Sequence, residues 1–139
     1  MSGGVDSAVA AARLLNEGYE VVGVTMRLSK DVRSVDETRD CGSDRAAADA
    51  RRVADILGFP HYIVDFRELF HARVVEYFLN TYVAGQTPNP CVVCNRYLKF
   101  SGLWEKAREM GADFLATGHY ARLQWDDALR RHRHNRQDQ

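Results

Sequence analysis

The chain opens M-S-G-G-V-D-S, Met1 to Ser7, and runs at once into A-V-A-A-A-R-L-L, Ala8 to Leu15. Glycines let a backbone approach an anion closely. The amides of a helix's first turn point outward with the positive end of the dipole behind them. Ser2 and Ser7 add hydroxyls that can donate to phosphate oxygens, and Asp6 could cap the helix or approach a magnesium ion bridging those oxygens. The stretch matches neither the Walker pattern, which needs Gly-Lys-Ser/Thr, nor G-x-G-x-x-G. From the residues alone, a phosphate cradle and a plain glycine turn into a helix both remain open.

Working outward, Val9, Ala12 and Leu15 give the apolar period of a helix, and Asn16-Glu17-Gly18 supplies its stop. Tyr19 to Met26 is β-branched and apolar at nearly every position, as strands covered on both faces are, and residues 27–43 are polar and aperiodic. A second helix starts at Ser43 or Asp44, carries Ala50, Val53, Ala54 and Leu57 on one face, and closes at Gly58 before Pro60. His61 to Phe66 reads as a strand. Phe70, Val74, Tyr77, Phe78 and Tyr82 mark an aromatic helix face, and G-Q-T-P-N-P at Gly85 to Pro90 reads as a rigid open loop. A helix from about Asn95 to Met110 stops at Gly111, and Asp113 to Tyr120 reads as a strand running into a loop.

This order is that of an α/β domain with a mostly parallel sheet. Ligands in such sheets sit at the carboxyl ends of the strands, the edge where the opening loop, Met26 onward and Thr117 to Tyr120 would lie. Past Leu123 the pattern gives way to a polar tail, 124–139, expected to be disordered; His132 and His134 there also suit nucleic-acid or adventitious metal contact.

The chain has 139 residues, 45% hydrophobic and 27% charged, which fits one ordinary soluble domain. No apolar run approaches the roughly 18 residues of a membrane span. Asp6 stands where a signal peptide would be basic, so a cytoplasmic location is the expectation. Residues 1–85 carry 10 basic and 13 acidic side chains and residues 86–139 carry 9 and 6, so a polyanion would prefer the second part. Three cysteines, two of them in C-V-V-C at Cys91 to Cys94, suit a reducing compartment. The pair fits a reactive thiol exposed on a proline-braced loop beside a helix start. The rival reading is half of a zinc or iron–sulfur site, but a closed site needs more ligands and only Cys41 remains to supply one.

S-G-G-V-D-S resembles the signature loop of the N-type ATP pyrophosphatases. T-P-N-P-C-V-V-C-N-R-Y-L-K-F at Thr87 to Phe100 looks like the diagnostic segment of the tRNA-specific 2-thiouridylases within that superfamily, and A-T-G-H-Y-A-R at Ala116 to Arg122 is similar to a further motif of theirs. Asp49 to Ala54 and the strand ending at Met26 also fit their order and spacing. The likeness runs from Met1 to about Leu123. It implies an adenine-nucleotide α-hydrolase-like (Rossmann-like) fold with ATP and magnesium as cofactors. The partners implied are tRNA and a persulfide-carrying sulfur-relay protein, with no DNA and no membrane.

The reaction implied is adenylation of the C2 carbonyl oxygen of the wobble uridine, followed by displacement of AMP by persulfide sulfur. By this resemblance Cys94 is the nucleophile and Cys91 a candidate auxiliary, at a position where many members have aspartate. Ser2, Gly3, Gly4, Val5, Asp6 and Ser7 hold the nucleotide's phosphates, while Met26 and Gly118 lie against the adenosine. Asn89, Pro90 and Cys91 touch the target base, and His119 approaches the tRNA or is held in its loop by hydrogen bonds. Arg96 and Lys99 meet backbone phosphates or are simply solvated.

Members of the family begin with a short apolar strand before S-G-G-V-D-S. They carry a persulfide-bearing cysteine and a small β-barrel downstream. The resemblance therefore implies an incomplete catalytic domain over 1–123 with its first strand missing, unable to complete thiolation alone unless Cys91 or Cys41 substitutes. Two other readings remain: a different ATP pyrophosphatase of the adenylating amidotransferase or ligase type, and a catalytically silent nucleotide-binding fragment.

Overall fold

The computed structural model describes residues 1–28 and 44–120, together with the backbone of 122–126 and 131–135. Helix α1 (Val5–Asn16) follows the glycine loop and ends in the glycine turn that the sequence predicts, with Gly18 and Tyr19 donating back to Leu15 and Leu14 at 3.0 Å. Strand β1 (Gly23–Arg27) pairs in parallel with β2 (His61–Asp65), in the register Gly23 opposite His61 through Arg27 opposite Asp65. Between them lies α2 (Asp44–Leu57), which buries Ala47, Ala50 and Ala54.

The first strand is shorter than the Tyr19–Met26 run predicts. Gly23 donates to the carbonyl of Pro60 at 2.8 Å, and Pro60 has no N–H with which to carry the ladder further back. On the edge away from β2, the Met1 amine bonds Val24 O and Thr25 Oγ1 donates to Met1 O at 2.8 Å.

After β2 the chain forms one helical rod: α3 (Arg67–Phe70), a π-helical turn His71–Val75, then α4 (Glu76–Val83). A second rod runs α5 (Pro90–Cys94), a π-helical stretch Asn95–Gly102, then α6 (Leu103–Glu109). This rod starts at Pro90, five residues before the predicted Asn95. Asn89 caps it by accepting the Val92 N–H at 3.2 Å, and proline at the first helical position loses no hydrogen bond. The predicted open loop therefore ends at Asn89.

The strand expected over Asp113–Tyr120 does not form. A strand needs a ladder partner, and among the described residues 113–120 has none; its end is fastened instead by the Tyr120 hydroxyl on Asp6. The segment read as a disordered tail carries most of an antiparallel strand pair, β3 (Arg122–Asp126) with β4 (Arg131–Asn135). A polar composition argues against an apolar core and leaves antiparallel backbone pairing between two segments available.

Two apolar clusters hold these parts together. Leu28, Phe66, Val74, Cys94 and Leu98 lock the ends of β1 and β2 to the two helical rods, with Met26, Val64 and Leu103 packed around them. Ala11, Ala54 and Phe59 join α1 to α2 near the strand starts. The carboxyl ends of the parallel strands thus face the elements that carry the predicted site residues, as an α/β architecture requires. Among the described residues no helix is long and apolar enough to cross a membrane.

Candidate functional site

Gly4 is extended at the N-cap of α1 (φ −87°, ψ 165°) and no side chain caps the helix. The amides of Val5, Asp6 and Ser7 therefore lie in the first turn, where a helix offers no internal acceptor. The serines close the loop on itself. Ser7 Oγ donates to Gly4 O at 3.0 Å, Ser2 N–H donates to Ser7 Oγ at 3.3 Å, the two hydroxyls lie 3.3 Å apart, and Gly4 N–H reaches Ser2 Oγ at 3.4 Å. Most of these bonds are long and exposed, so an anion arriving at the helix start meets hydroxyls that can turn toward it.

Gly3 has φ +74°, and a side chain there would place Cβ 2.7 Å from Ala46 O on α2. Both the left-handed backbone and the close approach of α2 demand glycine. At Gly118 an added Cβ would fall 2.9 Å from Asp6 C and Ser7 N, so the segment after α6 lies directly on the first turn of α1. Two residues on, Tyr120 donates its hydroxyl to Asp6 Oδ1 at 2.8 Å, and the carboxylate holds the phenol above its ordinary titration range. One carboxylate oxygen of Asp6 is thus engaged, and the other suits a hard divalent cation. This donor set fits a magnesium-bridged triphosphate: first-turn amides, two hydroxyls, one carboxylate oxygen and no side chain at either close approach.

His119, exposed, hydrogen-bonds Thr117 Oγ1 through Nδ1 at 3.0 Å, and its ring centroid lies 5.5 Å from that of Phe100. His119 is tied into its loop by this bond, as one of the two sequence alternatives has it, and its side chain is exposed. Four consecutive residues, Thr117 to Tyr120, thereby touch both the glycine loop and the helical stretch just beyond Cys94.

The cysteines are placed differently from the expectation of an exposed Cys94 beside a helix start. Cys94 is 8% exposed and belongs to the cluster of Leu28, Phe66, Val74 and Leu98. The early start of α5 is the reason: Cys94 falls a turn inside the rod on its core face, while Cys91 takes the second helical position and is exposed. The exposed thiol at the helix start is Cys91. Met26, at the end of β1, packs on the same cluster as Cys94, so the predicted adenosine contact and the predicted nucleophile share one core. Among the described residues no three His, Cys, Asp or Glu side chains converge on a metal position, and Cys41 lies outside the described residues.

The sequence reading assigned no role to Tyr120 or to buried Thr25, whose hydroxyl meets His61 Nε2 at 2.8 Å as well as Met1 O. Burial and the neighbouring cations lower the titration of His61. Tyr120 could have been found from its place two residues after Gly118 in the quoted motif. Thr25 gives no signal inside an apolar strand.

What the fold and the loop define is a class: a Rossmann-like α/β domain with a glycine-rich turn at a helix start and a small parallel sheet between helices. A family model described as "tRNA methyl transferase HUP domain" matches residues 1–139, and the chain belongs to that family. It is 52% identical over 134 residues to the tRNA-specific 2-thiouridylase MnmA of Desulforamulus reducens, covering 95% of this chain and 36% of that protein. To the protein of the same name in Carboxydothermus hydrogenoformans it is 54% identical over 131 residues, covering 93% and 36%. The Clostridioides difficile protein of that name is 48% identical over 132 residues, covering 95% and 37%. The chain thus spans little more than a third of the length of these relatives.

Proposed function

We propose that this chain carries the adenylating and base-presenting part of a tRNA 2-thiouridylase. ATP activates the C2 carbonyl oxygen of a wobble uridine with release of pyrophosphate, and sulfur from a cysteine persulfide then displaces AMP. The observation that carries this reading is the seating of Gly118 on Asp6 and Ser7, because it ties the glycine loop to the segment whose His119 leans on the cysteine-bearing rod. A nucleotide held at the loop is thereby adjacent to the residues that would face its acceptor.

In this reading the amides of Val5, Asp6 and Ser7, with the hydroxyls of Ser2 and Ser7, hold the phosphates, and Gly3 and Gly4 admit them closely. The Asp6 oxygen not bonded to Tyr120 approaches magnesium, which when bound neutralises the charge of the departing pyrophosphate. Backbone at Met26 and Gly118 borders the adenosine. Asn89, Pro90 and Cys91 face the base, and His119 the tRNA. Cys94 is the nucleophile of the sulfur stage. Since Cys94 is nearly buried and Cys91 exposed, sulfur delivered by a carrier protein reaches the pair past Cys91, which gives Cys91 the auxiliary role.

The test uses ATP labelled at the α phosphate, magnesium and tRNA bearing an unmodified wobble uridine. Pyrophosphate release that depends on this tRNA, with the label appearing on the RNA, is the expected result. Release that needs only a small carboxylate acceptor, or no release at all, overturns the reading in favour of a different ligase or a silent fragment.

A further inference from the structure

Three residues beyond Cys94, Tyr97 stands 40% exposed on the π-helical stretch Asn95–Gly102. The guanidinium carbon of Arg96 lies 5.4 Å from its ring centroid, and that of Arg73, on the π-helical turn of the other rod, lies 5.6 Å from it. Neither arginine enters an ion pair among the described residues. Two like charges gathered on one ring repel each other, and an exposed cation–π contact offsets little of that. The arrangement gains most when an anion joins it.

The surroundings say which kind of anion. Tyr77, from α4, accepts the Asn89 N–H at 3.5 Å, so the aromatic face of α4 reaches the loop that leads to Cys91. Phe78 and Tyr82 on that helix stack at 6.2 Å, and both are exposed. An exposed aromatic ring beside guanidinium groups that enter no ion pair among the described residues suits an unpaired nucleic-acid strand: planar surface for bases and cations for phosphates. An acidic protein segment would use the charges and leave the rings without purpose.

We propose that Arg73, Tyr97 and Arg96 form a clamp for an RNA strand. When the two guanidiniums turn from the ring to backbone phosphates, the tyrosine face they uncover takes an unstacked base flanking the nucleotide presented at Asn89–Cys91. The clamp rests on the tRNA reading above and adds where the strand lies.

The experiment measures binding of a fluorescein-labelled anticodon stem-loop RNA to the 139-residue chain by anisotropy across a salt series, with magnesium-dependent ATP binding followed in parallel. Combined Arg73→Gln and Arg96→Gln should flatten the slope of log affinity against log salt by about 1.4, two single-strand phosphate contacts' worth. Tyr97→Leu should weaken RNA binding about tenfold, while Tyr97→Phe, which keeps the ring, should not. ATP affinity should stay within about twofold in all three, which also reports that they fold. Parent-like RNA affinity and salt slope in the double variant overturn the clamp and leave the tRNA reading standing. Loss on arginine replacement without loss in Tyr97→Leu overturns it in favour of a charge-only surface suited to an acidic protein. A parent chain that binds ATP but no RNA overturns the tRNA reading and the clamp together.

Discussion

Tyr120 donates its hydroxyl to Asp6 Oδ1 across 2.8 Å, joining the segment after α6 to the first turn of α1 over 114 positions of sequence. The carboxylate raises the phenol above its ordinary value of 10.0, so the bond is complete at neutral pH and is lost as pH rises through the raised value. Asp6→Asn should bring the tyrosinate absorbance of Tyr120 back toward 10, compared against Tyr120→Phe to isolate that residue's signal. Tyr120→Phe should weaken magnesium-dependent ATP binding about fivefold, the worth of one ordinary hydrogen bond. An unmoved titration in Asp6→Asn would show that the pair does not exist in solution.

At Gly118 the obstruction is backbone, not a yielding side-chain tip. Gly118→Ala would bring Cβ to 2.9 Å from Asp6 C and Ser7 N and force the loop away. ATP affinity by calorimetry should fall at least tenfold, with a melting temperature only a few degrees lower because the atoms the new methyl meets belong to Asp6 and Ser7 and not to either core cluster. Equal affinity in the variant would remove Gly118 from the nucleotide site.

Asp65 follows a different pH logic. Arg67 bonds it through Nε at 2.9 Å, through Nη2 and through its backbone N–H at 3.0 Å, and holds its carboxyl down at about 2. What this contact contributes is present above the ordinary aspartate value of 3.8 and is lost as pH falls through about 2. Carbon-detected NMR titration should find Asp65 near 2 in the parent and higher in Arg67→Ala, where the backbone N–H bond remains and the guanidinium bonds are lost.

The two cysteines should separate by reactivity. With Cys41 replaced by serine, a brief pulse of iodoacetamide on the native chain should label Cys91 well ahead of Cys94, and denaturant should level the two, as peptide mass mapping would show. Preferential native labelling of Cys94 would contradict its burial at 8% exposure.

Leu98 is fully buried at the join of the strands and both rods. Leu98→Ala should cost about 2–5 kcal/mol in denaturant titrations. Because Cys94 sits in the same cluster, the variant should also speed alkylation of Cys94.

Several of these features could be read in the sequence and others could not. Helix stops at Gly18, Gly58 and Gly111 and the alternation of helices with β-branched runs come from local chemistry, which one chain displays. The strand expected over Asp113–Tyr120 failed because a strand is a relation between two segments: Phe114 and Leu115 have the right composition, but the described parallel sheet pairs only β1 with β2. The helix start at Pro90 was legible in principle, since Asn89-Pro90 is an N-cap followed by a first-turn proline, yet the same two residues also spell an open loop. From that one boundary follows the burial of Cys94 and the exposure of Cys91. The pairing of Tyr120 with Asp6, like the Arg73–Tyr97 contact, joins positions far apart in sequence and leaves no periodic trace.

The wide winding over Asn95–Gly102 holds more residues in each revolution than an α-helix would, and within it Tyr97 and Phe100 turn outward while Leu98 turns in. Excising a single residue from this span would let the coil tighten and rotate everything downstream relative to Cys94. Aromatic groups would then compete with leucines for the interior. Length, as much as side-chain identity, is fixed in those eight positions.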